Sequence, residues 1–221
     1  MKIVADYLPT CIELNEGETV TLVVEHKGTF LRILHDLYNQ SKGIEGDLIL
    51  SEDGKEVKVS KRLELVSSFV PFDLNEKRLI TRINNILERE ALDGDHYNDT
   101  MRLLAEIEKY VNSIAGYFPF PIVCQGINAN SLIKMCSVMI EDDGVNDIDR
   151  VLNYISIIND LFGDRLFVLI NMTMFFTDED IQGFITTCNV HKYQVLLIDG
   201  VESNEYKGAR RLIIDKDLCT I

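Results

Sequence analysis

Several of the patterns that enzymatic chemistry depends on are missing from this sequence. There is no G-x-S-x-G elbow to raise a serine nucleophile. There is no CxxC pair, and the five cysteines (Cys11, Cys124, Cys136, Cys188, Cys219) are odd in number and irregularly spaced. That fits small buried residues kept reduced in a cytosol better than a disulfide framework. The four histidines, His26, His35, His96 and His191, are scattered, which argues against a zinc centre. No apolar run approaches the roughly 20 residues of a spanning helix. MKIVADYLPT reads as a short strand rather than a signal peptide, so a cytoplasmic location is expected. No glycine-rich phosphate loop of the form G-x-x-x-x-G-K-[ST] occurs either.

What is present is a chain of 221 residues, 46% hydrophobic, long enough to bury a substantial core. Its organising stretch is Thr19 to Gln40. An apolar run, Val20 to Val24, meets a polar corner, Glu25-His26-Lys27-Gly28. A helix then carries Phe30, Ile33, Leu34, Leu37 and Tyr38 on one face. Gly28 is expected to supply the sharp corner through its backbone freedom. A P-loop protein holds its nucleotide at such a corner, but here Lys27-Gly28-Thr29 has no upstream glycine and the loop is too short. At the end of the apolar run Leu166–Ile170, where a magnesium-holding aspartate would stand, the sequence has Asn171. An amide is a weak ligand for a hard cation. Both halves of a nucleotide site are therefore degraded.

Around this stretch the first 24 residues read as two or three short strands. Asp53-Gly54 separates two further strand runs and predicts a hairpin, its second run alternating Lys55, Val57 and Val59 against Glu56 and Lys58. A run from Leu63 to Val70 ends at Pro71. Helical periodicity follows over 75–92, 97–118, 131–140 and 145–162. Leu166–Ile170 and Val195–Ile198 are apolar at every position, as parallel strands covered on both faces are. Between them Thr177-Asp-Glu-Asp180 opens a helix, completing a βαβ unit, and Arg211–Ile214 is a last strand. The expected architecture is an α/β, degenerate P-loop-NTPase-like head from residues 1–72 and 152–221, with an inserted α-helical lobe at 73–151.

Charge is the other strong signal. The formal net charge is −14, which opposes non-specific nucleic-acid binding by the chain as a whole. Residues 26–62 nonetheless carry seven Lys/Arg against six acids. Lys55, Lys58, Lys61 and Arg62 cluster about the hairpin, with Arg210-Arg211 a smaller second group. No aromatic residues alternate with these cations as a single-strand groove requires, so any contact is with duplex phosphates. The acidic run from Glu141 through Asp142, Asp143 and Asp147 to Asp149 has five carboxylates in nine residues. It suits a solvated loop before a helix or a hard cation such as calcium; its spacing is not that of an EF-hand. Asp93-Gly94-Asp95 with Asp99 is a weaker candidate.

The chain resembles the type II-A CRISPR-associated spacer-acquisition proteins, the non-nuclease Csn-two family. Three stretches carry the resemblance: TVTLVVEHKGTFLRILHDLYNQ, the helical insertion at 73–151, and DRLFVLINMTMFFTDEDIQGFITTCNVHKYQVLLIDG. It implies a head without nucleotide chemistry, a helical leg, and a ring-shaped homotetramer whose basic hole admits double-stranded DNA. It also implies supporting calcium ions, and a non-enzymatic role beside the CRISPR integrase pair and the large effector nuclease. Clustering of charge points to Lys55, Lys58, Lys61 and Arg62 as the residues facing DNA, and carboxylate density to Glu141, Asp142, Asp143 and Asp147 as those facing calcium. The alternatives are a diverged P-loop nucleotide-binding protein and an acidic protein–protein adaptor.

Overall fold

The computed structural model describes residues 1–70, 72–142, 146–202 and 204–221. Pro71, Asp143, Gly144 and Val145, on which some expectations fall, lie outside the described residues. The chain divides into two compact units, Met1–Phe72 with Gly144–Ile221, and Asp73–Asp143.

The first unit holds two sheets. Strands β1 (Lys2–Val4), β2 (Ile12–Glu13) and β3 (Thr19–Val24) precede helix α1 (Lys27–Ser41). Strands β4 (Ile49–Glu52) and β5 (Lys55–Val57) then form the predicted hairpin, with Asp53 and Gly54 both at positive φ (51° and 75°). Two consecutive positive-φ residues match the right-handed twist of the flanking strands, which is why Asp-Gly works here. The small antiparallel sheet has the order β2-β1-β4-β5. The second hairpin strand is shorter than its alternation suggests. It stops at Val57, and Val59 opens the one-turn helix α2 (Val59–Arg62), which takes its side chain into the core.

The larger sheet is parallel throughout. It adds β6 (Leu63–Val66), β7 (Leu166–Ile170), β8 (Gln194–Asp199) and β9 (Ala209–Ile214) to β3, in the order β6-β7-β8-β3-β9. Alternate residues of its inner strands serve two cores. Val20, Leu22, Val24, Leu166, Val168, Ile170, Leu196 and Ile198 join Ile33 and Leu37 of α1 and Ile3, Ile12 and Leu50 of the small sheet. Helix α7 (Asp178–Val190) packs against β3 and β8, and also against α6 (Asp147–Phe162). Both faces are covered, so these strands are apolar at successive positions. Thr177 caps α7 with the full reciprocal box to Asp180, satisfying two otherwise orphaned donors.

The expected second boundary, at 151/152, cuts through α6. That helix is continuous and belongs to the first unit, where Val151, Tyr154, Ile155 and Ile158 are buried. The second unit contains α3 (Lys77–Ala91), α4 (Tyr97–Ala115) and α5 (Ala129–Met135). Its ends are clasped: Asn75 Nδ2 donates to the Ile140 carbonyl at 3.1 Å and Asn75 Oδ1 accepts the Ile140 amide at 2.7 Å. Asn130 Nδ2 donates to Glu88 Oε2 at 2.6 Å, tying α5 to α3.

Candidate functional site

In an open parallel sheet ligands sit beyond the carboxyl ends of the strands, where the strand order reverses. Here that point is β3: the chain leaves it for β6 at one edge of the sheet and later passes from β8 across it to β9 at the other. The link from β3 to α1 is only Glu25-His26, which is too short to wrap a phosphate. The predicted role of Gly28 is corrected. The helix has already begun at Lys27, and Gly28 is not among the glycines of positive φ. Its missing side chain leaves room instead for the His26 ring, whose Cε1 lies 3.1 Å from where a Cβ would stand. His26 Nδ1 accepts the Thr29 amide at 3.1 Å and lies 2.9 Å from Thr29 Oγ1. The helix N-terminus that a phosphate would occupy in a nucleotide site is thus engaged by the chain's own imidazole.

The other ends of the crevice are also filled from within. Asn171 closes β7 in the left-handed region (φ 53°), which asparagine tolerates better than most residues. Its Oδ1 accepts the Gly200 amide at 3.1 Å. The Phe30 ring lies 3.4 Å from the Cβ position of Gly200. Asp199, at the end of β8 and 1% exposed, accepts from Thr173 Oγ1 at 2.6 Å. Burial pushes its carboxyl above the usual range, opposed by the hydrogen bonds from Thr173. Sequence reasoning missed both His26 as a cap and Asp199 as a buried acid. The signal for Asp199 was a carboxylate closing an otherwise apolar strand.

The hairpin cations fall into two kinds. Lys55, Lys58 and Lys61 are exposed. Arg62 is half-buried, with Nη2 paired to Glu52 and Nη1 donating to the Asp164 carbonyl at 2.8 Å. Its charge is largely spent inside the protein. Over residues 52–62 four cations stand against three acids, Glu52, Asp53 and Glu56. The second basic pair is engaged as well. Arg210 binds Glu18 at 3.0 Å and the Glu13 carbonyl, while Arg211 binds Glu202 at 3.1 Å and Glu205 at 3.5 Å.

Of the predicted calcium ligands, Glu141 and Asp142 are exposed near the end of the second unit, and Asp143 is outside the described residues. Asp147 opens α6, with Oδ1 accepting from Arg150 Nη1 at 2.9 Å, and Asn146 caps the same helix through the Asp149 amide. Among the described residues no three His, Cys, Asp or Glu side chains come together as a metal site. Asp93, Asp95 and Asp99 are exposed, and Asp99 pairs with Arg102 at 3.0 Å. No helix among the described residues is long and apolar enough to cross a membrane.

With this geometry in view, the comparisons with known proteins give one decisive finding. The family model described as CRISPR-associated protein (Cas_Csn2) matches residues 40–218. Among solved structures, one described as a bacterial Atm1-family ABC exporter with ATP bound is similar at 12% identity and a TM-score of 0.37. That match covers 89% of this chain and 34% of the exporter chain, so this chain spans about a third of the exporter's length.

Proposed function

The chain belongs to the CRISPR-associated Csn2 family, whose part is in CRISPR adaptation, and from that premise we propose that it is a non-enzymatic protein that binds double-stranded DNA without regard to sequence. The proposed form is a ring-shaped homotetramer, its DNA-facing surface built from the hairpin lysines and its partners the CRISPR integrase pair and the large effector nuclease. The supporting observation, beside the family, is the segment 55–61: Lys55 on β5, Lys58 at the start of α2 and Lys61 within it are all exposed, in a chain of net charge −14. One such patch is too small to hold a duplex against that charge. Repeated about a symmetry axis, it lines a hole while the acidic surface stays outside. Arg62 contributes here as the anchor of the hairpin. Calcium is the proposed cofactor, with Glu141, Asp142, Asp143 and Asp147 supplying oxygens; this part rests on carboxylate density.

The head is proposed to be a P-loop-like scaffold without nucleotide chemistry, since its corner is capped by His26 and its crevice closed by Asn171 and Phe30. The test measures duplex binding by anisotropy across a salt series, on linear and closed circular DNA, with the particle mass from sedimentation. The expected result is a tetramer that binds linear duplex with steep salt dependence. A monomer, or an absence of binding at low salt with calcium present, overturns the reading in favour of a protein-only adaptor.

A further inference from the structure

The loops that follow three neighbouring strands meet at the carboxyl end of the large sheet. β6 leads to Phe69 and Val70, β7 to residues 171–177, and β8 to residues 200–206. Several contacts tie these loops together. The Phe69 ring lies 5.4 Å from that of Phe175 and 5.5 Å from that of Phe176. Thr173 Oγ1 donates to Asp199, and the Gly200 amide donates to Asn171. Asn204 Nδ2 and the Tyr206 hydroxyl donate to the two oxygens of Asp178, at 2.6 and 2.8 Å. Phe69 is buried, whereas Val70, Met174, Phe175 and Val201 are each more than half exposed. Single apolar residues on a surface need no explanation, but four from three loops tied together do.

The charge around these four residues indicates what covers them. No Lys or Arg occurs from Leu166 to Val190 or from Tyr193 to Tyr206, although the chain holds 22 of them. The same stretches carry the exposed acids Asp178, Glu179, Asp180, Glu202 and Glu205. Arg211, paired with Glu202 and Glu205, offsets part of that charge, and Lys207 follows the second stretch. The face is therefore an apolar centre with an acidic rim. Such a rim repels the phosphates of a duplex, and equally a second copy that presents the same carboxylates; it attracts a cationic partner. Methionine adapts to the shape of what it meets, and Met and Phe are enriched in interface cores. We propose that this face docks a partner protein through a lysine- or arginine-rich segment that also bears apolar side chains. Its apolar groups rest on Met174 and Phe175, and its cations face the rim. Proteins that bind nucleic acid carry clustered cations of this kind. The inference deepens the reading that this protein works beside DNA-handling partners, and rests on it.

The probe is a labelled amphipathic peptide of lysine and leucine, with a lysine–serine peptide of equal charge as its control. Anisotropy gives the affinities, and methyl NMR spectra of the full chain report on Met174 and Val201 directly. The lysine–leucine peptide should move both resonances, and the lysine–serine peptide should bind about tenfold more weakly for want of apolar contact. Met174→Ser, and separately Glu179→Lys/Glu205→Lys, should each weaken the lysine–leucine peptide about fivefold. Glu45→Lys/Asp160→Lys makes the same change of charge after the end of α1 and in the last turn of α6, and should leave the affinity within about twofold. Resonances of Met174 and Val201 that stay still at saturating peptide overturn the face, as do equal affinities for the two peptides or equal losses in the two charge variants. Movement of those resonances on adding duplex DNA, or on concentrating the protein alone, assigns the face to another occupant and overturns the proposal as well. A chain that binds no duplex but keeps the full peptide response overturns the DNA reading alone.

Discussion

The division between the three lysines and Arg62 can be tested quantitatively. Each lysine that neutralises a phosphate releases condensed counterions, and contributes about 0.9 to the slope of log affinity against log salt on B-form DNA. Lys55 on β5, Lys58 at the start of α2 and Lys61 within α2 are exposed, so replacing all three by alanine should lower the slope by about 2.7 for each copy in contact. Between 50 and 200 mM salt, the advantage of the wild type over the triple variant should shrink about fortyfold for one such copy. Arg62→Ala should behave differently. Its guanidinium is committed to Glu52 and to the Asp164 carbonyl, so its loss leaves those acceptors unpaired and costs about 1–2 kcal/mol of folding stability. The salt slope should stay as in the wild type. Fluorescence anisotropy on a labelled duplex gives the slopes, and urea unfolding gives the stability. A slope unchanged in the triple variant, or reduced as much by Arg62→Ala as by the lysines, would refute the assignment.

Three further outcomes follow from the geometry. His26→Ala removes the acceptor of the Thr29 amide and should cost about 0.5–2 kcal/mol, whereas His26→Asn, which keeps an acceptor, should lose little; equal losses in urea melts would count against the cap. Asp199 has a carboxyl raised by burial, so the folded state binds its proton more tightly than the unfolded state does. Its charge therefore costs stability as pH rises from the ordinary carboxylate value of 3.8 through the raised one. Asp199→Asn should be more stable than the wild type at pH 7, with the gap narrowing in acid; a gap independent of pH would remove that account. Calcium should stabilise the fold relative to chelator by about 2.7 kcal/mol at a hundredfold excess over its dissociation constant, raising the thermal midpoint, and Asp147→Asn should blunt the gain. Magnesium giving the same shift would argue against a calcium-specific site.

Local patterns were legible in the sequence because single elements enforce them. Leu166–Ile170 announces a strand covered twice, Asp53-Gly54 a tight hairpin, and Thr177 with Asp180 a helix start. The order of strands was not legible. Placing β3 between β8 and β9 depends on pairing Thr19 with Val195 and Ala209, and no local propensity encodes contacts so remote in sequence. Gly28 misled because glycine marks corners and close approaches alike; only the position of the His26 ring distinguishes them. Arg62 could not be told from its neighbouring lysines, since its partner carbonyl at Asp164 lies far along the chain.

The anchoring of the hairpin by Arg62 has a mechanical consequence. On the proposed DNA-binding reading, the backbone that carries the three lysines is braced by Arg62, so reach toward phosphates is left to the lysine stems alone. A solitary protomer would then grip only a few phosphates and let go quickly. In the proposed ring, holding power would come from avidity, since each further patch would rebind at the high effective concentration set by its neighbours. Residence time should therefore climb sharply once a duplex is long enough to reach more than one patch.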